Sequence, residues 1–198
     1  MLARIIVDLR SLVLQDTHKQ EILALRVRAM NILAAREHSV AELRDKLRTK
    51  MHKQASYKQH RQKRSQNADD PDMESTEPDP AETEQIDERI EQLLVQLIDE
   101  NLLNDERFTE SFIRSRMARG QGPVKIRHEL QKRRVASELI DDYLDESWEL
   151  WQETLENVRQ KKFGAELPKD YKEQTKQSRF LYQRGFGSEM IRRLFNEF

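Results

Sequence analysis

The chain has 198 residues, of which 36% are charged and 36% apolar, against about 25% charged in an average domain. Five glycines and five prolines are too few for an all-β fold with its many turns, and no cysteine is present, which excludes disulfides, thiolate zinc sites and Cys nucleophiles. No apolar run approaches the roughly 20 residues that span a bilayer, and Ile5-Ile6-Val7, interrupted by Asp8 and Arg10, makes no signal-peptide core; an intracellular, cytoplasmic protein is expected.

The formal charge of −1 conceals a pattern. Residues 1–68 carry a net +9, 69–106 a net −14, 107–134 a net +7, 135–157 a net −8 and 158–198 a net +5. Alternating blocks predict a striped surface, and a stripe of one sign attracts an oppositely charged polymer even when the total is near zero. For any single run the first reading is a solvated helix face.

In chain order, residues 1–17 are read as an extension, with an extra helix against the first repeat as its one candidate role. Ile22, Leu25, Ala29, Ile32 and Leu33 give a helical rhythm from Gln20 to Ala35. Ser39 then caps a second helix, Glu42 completing a capping box, with Leu43 and Leu47 inward. From Met51 to Asp79 the apolar pattern stops, and this stretch is expected to be a flexible charged insertion. Asp79 and Pro80 open the next helix, whose stripe is Ile86, Ile90, Leu93, Leu94, Leu97 and Ile98. Asn104 is the expected cap of a helix carrying Phe108, Phe112 and Ile113. Pro123 starts one with Ile126 and Leu130 inward. Ser137 is the expected cap of a short acidic helix, and Trp148, Trp151, Leu155 and Val158 form another, ending near Gly164. A last pair, Tyr171 to Arg184 and Ser188 to Phe198, is split by Gly185-Phe186-Gly187.

Three segments align without gaps: those beginning Arg36-Glu37-His38-Ser39, Arg119-Gly120-Gln121-Gly122 and Arg184-Gly185-Phe186-Gly187, each followed at the same spacing by an inward Leu or Ile and an Arg (Arg44, Arg127, Arg192). Small helical units that cannot each bury an apolar face alone stack into arrays. The expected fold is therefore all-α: an elongated tandem array of three three-helix repeats, over 18–101 (with the insertion at 51–79), 102–147 and 148–198.

These residues carry a family resemblance. Leu103-Asn104-Asp105-Glu106-Arg107-Phe108, Phe112, Arg116, Gly120-Gln121-Gly122-Pro123, Ile126-Arg127 and Glu129-Leu130 resemble the RecX family of regulators of the bacterial recombinase RecA. Arg36 to Ser39 with Glu42-Leu43-Arg44 and Leu47 is similar to the family's first repeat, and Lys162-Phe163-Gly164, Arg179-Phe180-Leu181 and Arg184-Gly185-Phe186 to its third. One departure is Arg134, which stands where the family usually has the glycine of a left-handed helix cap.

The resemblance implies a non-enzymatic modulator that binds the RecA filament on single-stranded DNA, lies in its helical groove, and restrains ATP hydrolysis, strand exchange and coprotease activity. DNA repair, recombination and the SOS response would be regulated in this way. It would act as a monomer with weak direct binding to DNA, without a membrane or a cofactor. The alternative is an independent DNA- or RNA-binding protein, since two helices joined by a Gly turn also resemble a helix-turn-helix.

The candidate filament- or DNA-binding residues are Arg36, Arg44, Arg107, Arg114, Arg119, Lys125, Arg127, His128, Lys132, Arg133, Arg184 and Arg192. Lys125, His128 and Lys132 fall on one outward face, and basic residues flanking a buried stripe can clamp a phosphate backbone. Arg36, Arg119 and Arg184 serve equally as cations at helix C-termini, and Arg116 equally as a buried partner for a carboxylate. The five histidines show no metal or triad spacing, and Asp141, Asp142 and Asp145 are read as an acidic helix face. No catalytic or metal site is expected.

Overall fold

The computed structural model describes residues 19–66 and 79–196, which form nine helices and no strand. Helix α1 covers 19–33 of the described residues. It is followed by α2 (Val40–Gln66), α3 (Pro80–Asp99), α4 (Asp105–Ala118), α5 (Pro123–Lys132), α6 (Ser137–Tyr143), α7 (Trp148–Phe163), α8 (Tyr171–Arg184) and α9 (Ser188–Asn196). The chain divides into two compact units, Met1–Asn104 and Asp105–Phe198.

In the first unit α1, α2 and α3 bury Leu25, Ala29, Leu43, Leu47, Ile90 and Leu97 around one core. The starts of both long helices follow from the sequence. Ser39 Oγ accepts the Glu42 amide at 3.1 Å, and the Asp79 carboxylate accepts the Ala81 amide at 3.0 Å ahead of Pro80. Ile98 differs from its reading as a core residue: it is 46% exposed, since Leu97 already fills the last inward position before the helix closes.

The expected insertion beginning at Met51 also differs. Residues 51–66 continue α2, and Ala55 is buried against the core. Lys, Arg and Gln are good helix formers, and extending an existing helix adds one hydrogen bond per residue without a new nucleus. Residues 67–78 lie outside the described residues, as does the 1–17 extension.

The second unit holds the second and third repeats in a single core, where Phe108, Ile126 and Leu130 meet Trp151, Leu181 and Phe186. The third repeat places its additional helix, α7, ahead of the recurring pair α8–α9, whereas the first two place theirs after it. Position three of the aligned turns points inward each time. His38 is 2% and Phe186 1% exposed, and Gln121 buries its Oε1. Phe186 packs edge-on against Trp151, with ring centroids 6.3 Å apart.

Four helix ends share one closing device, in which the residue after the helix turns left-handed and two amides reach back to the last carbonyls. Asn101, Gly120, Arg134 and Gly185 take the left-handed position with φ of 56°, 69°, 55° and 94°. At the end of α5 the Arg134 amide donates to the Gln131 carbonyl at 2.9 Å and the Val135 amide to the Leu130 carbonyl at 3.3 Å. The left-handed cap that the glycine-to-arginine departure put in question is thus present, built on an arginine. Beyond it, Val135 is buried and Ala136, not Ser137, occupies the cap position of α6, with no side-chain cap. Anchoring of Val135 sets where that helix begins.

Candidate nucleic-acid interface

Among the described residues of the first unit, basic and acidic side chains of the charged blocks meet each other. Helices α2 and α3 run antiparallel, and ion pairs bridge them: Arg44 Nε to Glu91 at 2.6 Å and Nη2 to the same carboxylate at 2.9 Å, Arg48 to Asp87, and His52 Nε2 to Asp87 at 3.1 Å. Hydrogen bonding from Arg48 holds the Asp87 carboxyl below its ordinary pKa. Helix α1 is tied to α3 by Arg26 with Glu100 and by Glu21 with Arg89, each at 2.5 Å. Two of the sequence's candidate cations are drawn into this network. Arg44 pairs with Glu91, and Arg36 bonds both the Glu37 carbonyl at 2.8 Å and the Glu42 carboxylate.

The Arg36 turn encloses His38. Its Nδ1 stands 3.1 Å from the Glu37 carbonyl and its Nε2 2.9 Å from Lys46 Nζ. The carbonyl can only accept and the ammonium only donate, so the ring is neutral with its proton on Nδ1. Burial first, then the charges of Arg36 and Lys46, push its pKa down to about 4 against the pull of Glu42 and Glu37.

In the second unit the candidate residues divide into anchored and unengaged. Arg127 spans to α6 and the residue beyond it, with Nη1 2.5 Å from Asp141 and Nε 2.7 Å from Glu146. Arg133 donates to the Glu129 carbonyl at 2.7 Å and lies 4.7 Å over the Phe112 ring. Arg116 pairs with Glu129 at 2.9 Å with both side chains four-fifths covered, and it stacks 4.6 Å over the same ring, which makes it a structural partner. Arg184 reaches the Arg119 carbonyl at 3.3 Å and stacks on Phe180 at 5.2 Å. Arg114 and Arg192 pair with Glu110 and Glu189 along their own helices, all four exposed. Arg107 is half-buried on α4 and has interaction partners. Lys125, His128, Lys132 and Arg119 make no side-chain hydrogen bond or ion pair among the described residues. His128 and Lys132 are exposed, and Lys125 is half-exposed.

Helix α5 therefore faces three ways. Ile126 and Leu130 are fully buried. Arg127 on one flank and Glu129 with Arg133 on the other fasten it to its neighbours. The remaining outward face presents Lys125, His128 and Lys132. Its N-terminus is covered: the Gly122 amide donates to the Arg184 carbonyl at 2.8 Å and the Val124 amide to the Gly185 carbonyl at 3.0 Å.

Sequence reasoning missed Arg159. It is 3% exposed on α7 and donates to the carbonyls of Glu166 and Ala165 at 2.9 and 3.0 Å, pinning the loop into α8. Its place four residues after Leu155 and eight after Trp151 puts it on the buried stripe, a signal the surrounding lysines conceal.

No helix among the described residues is long and apolar enough to cross a membrane, and no group of three His, Cys, Asp or Glu among them could hold a metal ion.

The helices, their recurring turns and the outward cations define an all-α protein of tandem three-helix domains. Residues 26–55, 104–144 and 149–195 match the first, second and third three-helix domains of RecX. The chain is 34% identical over 169 residues to the regulatory protein RecX of Halorhodospira halophila, covering 85% of this chain and 84% of that one. It is 38% identical over 173 residues to that of Pseudomonas putida strain KT2440, covering 87% and 90%. The fold is similar to the crystal structure of RecX from Lactobacillus salivarius, with a TM-score of 0.62 at 20% identity, over 90% of this chain and 97% of that one. The chain belongs to the RecX family and is a regulatory protein of that family.

Proposed function

We propose that this protein modulates RecA by binding the filament that RecA forms on single-stranded DNA. It lies in the filament's helical groove and restrains ATP hydrolysis, strand exchange and coprotease activity, and thereby DNA repair and recombination. It does so without catalysing a reaction of its own. The observation that carries this reading, beside family membership, is the outward face of α5. Among the described residues Lys125, His128 and Lys132 are spent on no hydrogen-bond or ion-pair partner, while the helix beneath them is fastened on both flanks. Cations held in fixed register on a rigid helix suit a regular array of phosphates or carboxylates.

Independent groove reading of duplex DNA would instead show base preference in the DNA-only control.

The test is the DNA-dependent ATPase of RecA on single-stranded DNA, titrated with this protein at physiological salt beside a DNA-only binding control. Inhibition well below the concentration that coats bare DNA supports the reading. No inhibition, or inhibition only at DNA saturation, refutes it in favour of general nucleic-acid binding.

A further inference from the structure

Helices α8 and α9 enclose an open groove of about 560 Å³, separate from the outward face of α5. Tyr171 and Tyr182 stand at its rim, 84% and 67% exposed. They are three turns apart on one side of α8, about 16 Å along its axis. Ser178 and Thr175, between them, turn their hydroxyls back onto the Gln174 and Tyr171 carbonyls at 2.8 Å each. The wall between the rings is therefore short and self-satisfied. Ile191 and Phe195 supply apolar surface from α9.

The charge of the groove is one-sided. Among the described residues Arg179 and Arg192 line it, together with neutral Gln and Ser residues and without a carboxylate. Arg179 makes no ion pair among the described residues. Arg192 pairs with Glu189, but both side chains are about seven-tenths exposed, so the pair is weak and a phosphate can replace it. Lone exposed tyrosines are ordinary. Two on one helix face, beside two arginines of which only one meets a carboxylate among the described residues, form the combination that holds single strands, in which rings stack on bases and guanidinium groups track the backbone. An acidic protein segment would satisfy the arginines but leave the aromatic pair without a role.

We propose that the α8–α9 groove binds single-stranded nucleic acid, with bases stacked on Tyr171 and Tyr182 and phosphates held by Arg179 and Arg192. Lys125 packs on Gly185, in the turn that joins the groove's two walls, and so brings the cationic face of α5 to one end of the strand's path. This deepens the preceding reading by assigning a site for the DNA itself, but its test does not require RecA.

The experiment measures fluorescence anisotropy of a labelled oligo-dT with the full chain, comparing wild type, Tyr171→Ala/Tyr182→Ala and Tyr171→Phe/Tyr182→Phe. Circular dichroism checks that the fold is kept. The alanine pair is expected to weaken binding at least tenfold and the phenylalanine pair to leave it within twofold, because stacking needs the ring and not the hydroxyl. Arg179→Gln should reduce the salt dependence of binding. Oligo-dT binding unchanged in the alanine pair overturns the proposal. So does an equal loss in both pairs. If the alanine pair keeps oligo-dT binding but loses inhibition of RecA, the groove is a protein-docking surface and the proposal falls. If wild type binds oligo-dT through the tyrosines yet never inhibits RecA, the groove assignment stands and the RecA reading fails.

Discussion

Gly122 and Gly185, from equivalent regions of the second and third repeats, lie back to back. A Cβ on Gly122 would overlap the Gly185 carbonyl, and a Cβ on Gly185 would overlap Lys125. The space without side chains lets two backbone hydrogen bonds, from Gly122 to Arg184 and from Val124 to Gly185, join the start of α5 to the end of α8. Amides that have no partner inside α5 are satisfied by the terminal carbonyls of another helix, and the two macrodipoles meet head to tail. The turns that mark the repeat in the sequence thus also couple one repeat to the next.

The glycines should therefore rank by contact and not by type. Gly187 has open space and no left-handed backbone, so Gly187→Ala should be nearly neutral. Gly164 has open space around it, but its φ of 91° and ψ of 175° lie in a backbone region essentially confined to glycine, so substitution by Ala should cost about 1–3 kcal/mol through backbone strain alone. Gly122 has an ordinary φ of −85°, yet Gly122→Ala should cost more than Gly164→Ala, about 2–4 kcal/mol, from overpacking and lost hydrogen bonds. Urea unfolding of the three variants checks the order.

Arg134 holds the left-handed position that closes α5, with φ of 55°. Glycine there would remove the Cβ penalty, so Arg134→Gly is expected to stabilise the chain by about 0.5–1 kcal/mol. Thermal melts should show a rise in Tm of a few degrees. A fall would mean that the arginine side chain contributes more than its backbone costs.

His38 gives the first unit an acid limb. Its pKa is pushed down from 6.5 to about 4 in the fold, so the unfolded chain binds the proton more readily. The stabilisation is complete above pH 6.5 and is lost as the pH falls through 4. At its limit the loss is of order 3 kcal/mol. Glu42 also has a lowered pKa: burial works to raise it, but the Arg36 hydrogen bond and charge prevail. Its contribution is lost only below pH 4.5, so the window from 6.5 to 4.5 isolates the histidine. Imidazole nitrogen NMR should show a neutral Nδ1–H ring at pH 5.5, and His38→Gln should flatten stability between those limits. A ring that protonates near pH 6.5 would contradict this.

What was legible in the sequence was local. Capping chemistry at Ser39 and Asp79, the stripes of α2, α3 and α5, and the three aligned turns all report on neighbours within a few residues. What was not legible depends on partners far along the chain. Arg127 and Lys125 are both candidate cations on paper, but only folding shows that Asp141 and Glu146 claim one while no described side chain pairs with the other. The acidic run at 69–106 reads as a separate stripe, yet Glu91 and Asp87 within it pair with Arg44 and Arg48 across the α2–α3 contact. Helix α2 outran its apolar pattern because propagation, once nucleated, needs no buried face. The groove tyrosines carry no mark in the sequence, because two exposed aromatics three turns apart on a polar helix fall outside the i, i+3, i+4 pattern of a buried face.

The binding face can now be tested without disturbing the fold. Arg127 must be left alone, since its two carboxylate partners make it structural. Lys125→Glu/His128→Glu/Lys132→Glu changes only side chains that make no hydrogen bond or ion pair among the described residues and should leave the circular dichroism spectrum as it is. The decisive measurement is the titration of RecA's single-stranded-DNA-dependent ATPase with wild type and this triple variant at physiological salt. At least a tenfold rise in the half-inhibitory concentration for the folded variant is the expected result. Equal inhibition by the two proteins would contradict the assignment of α5 as the face that meets the filament.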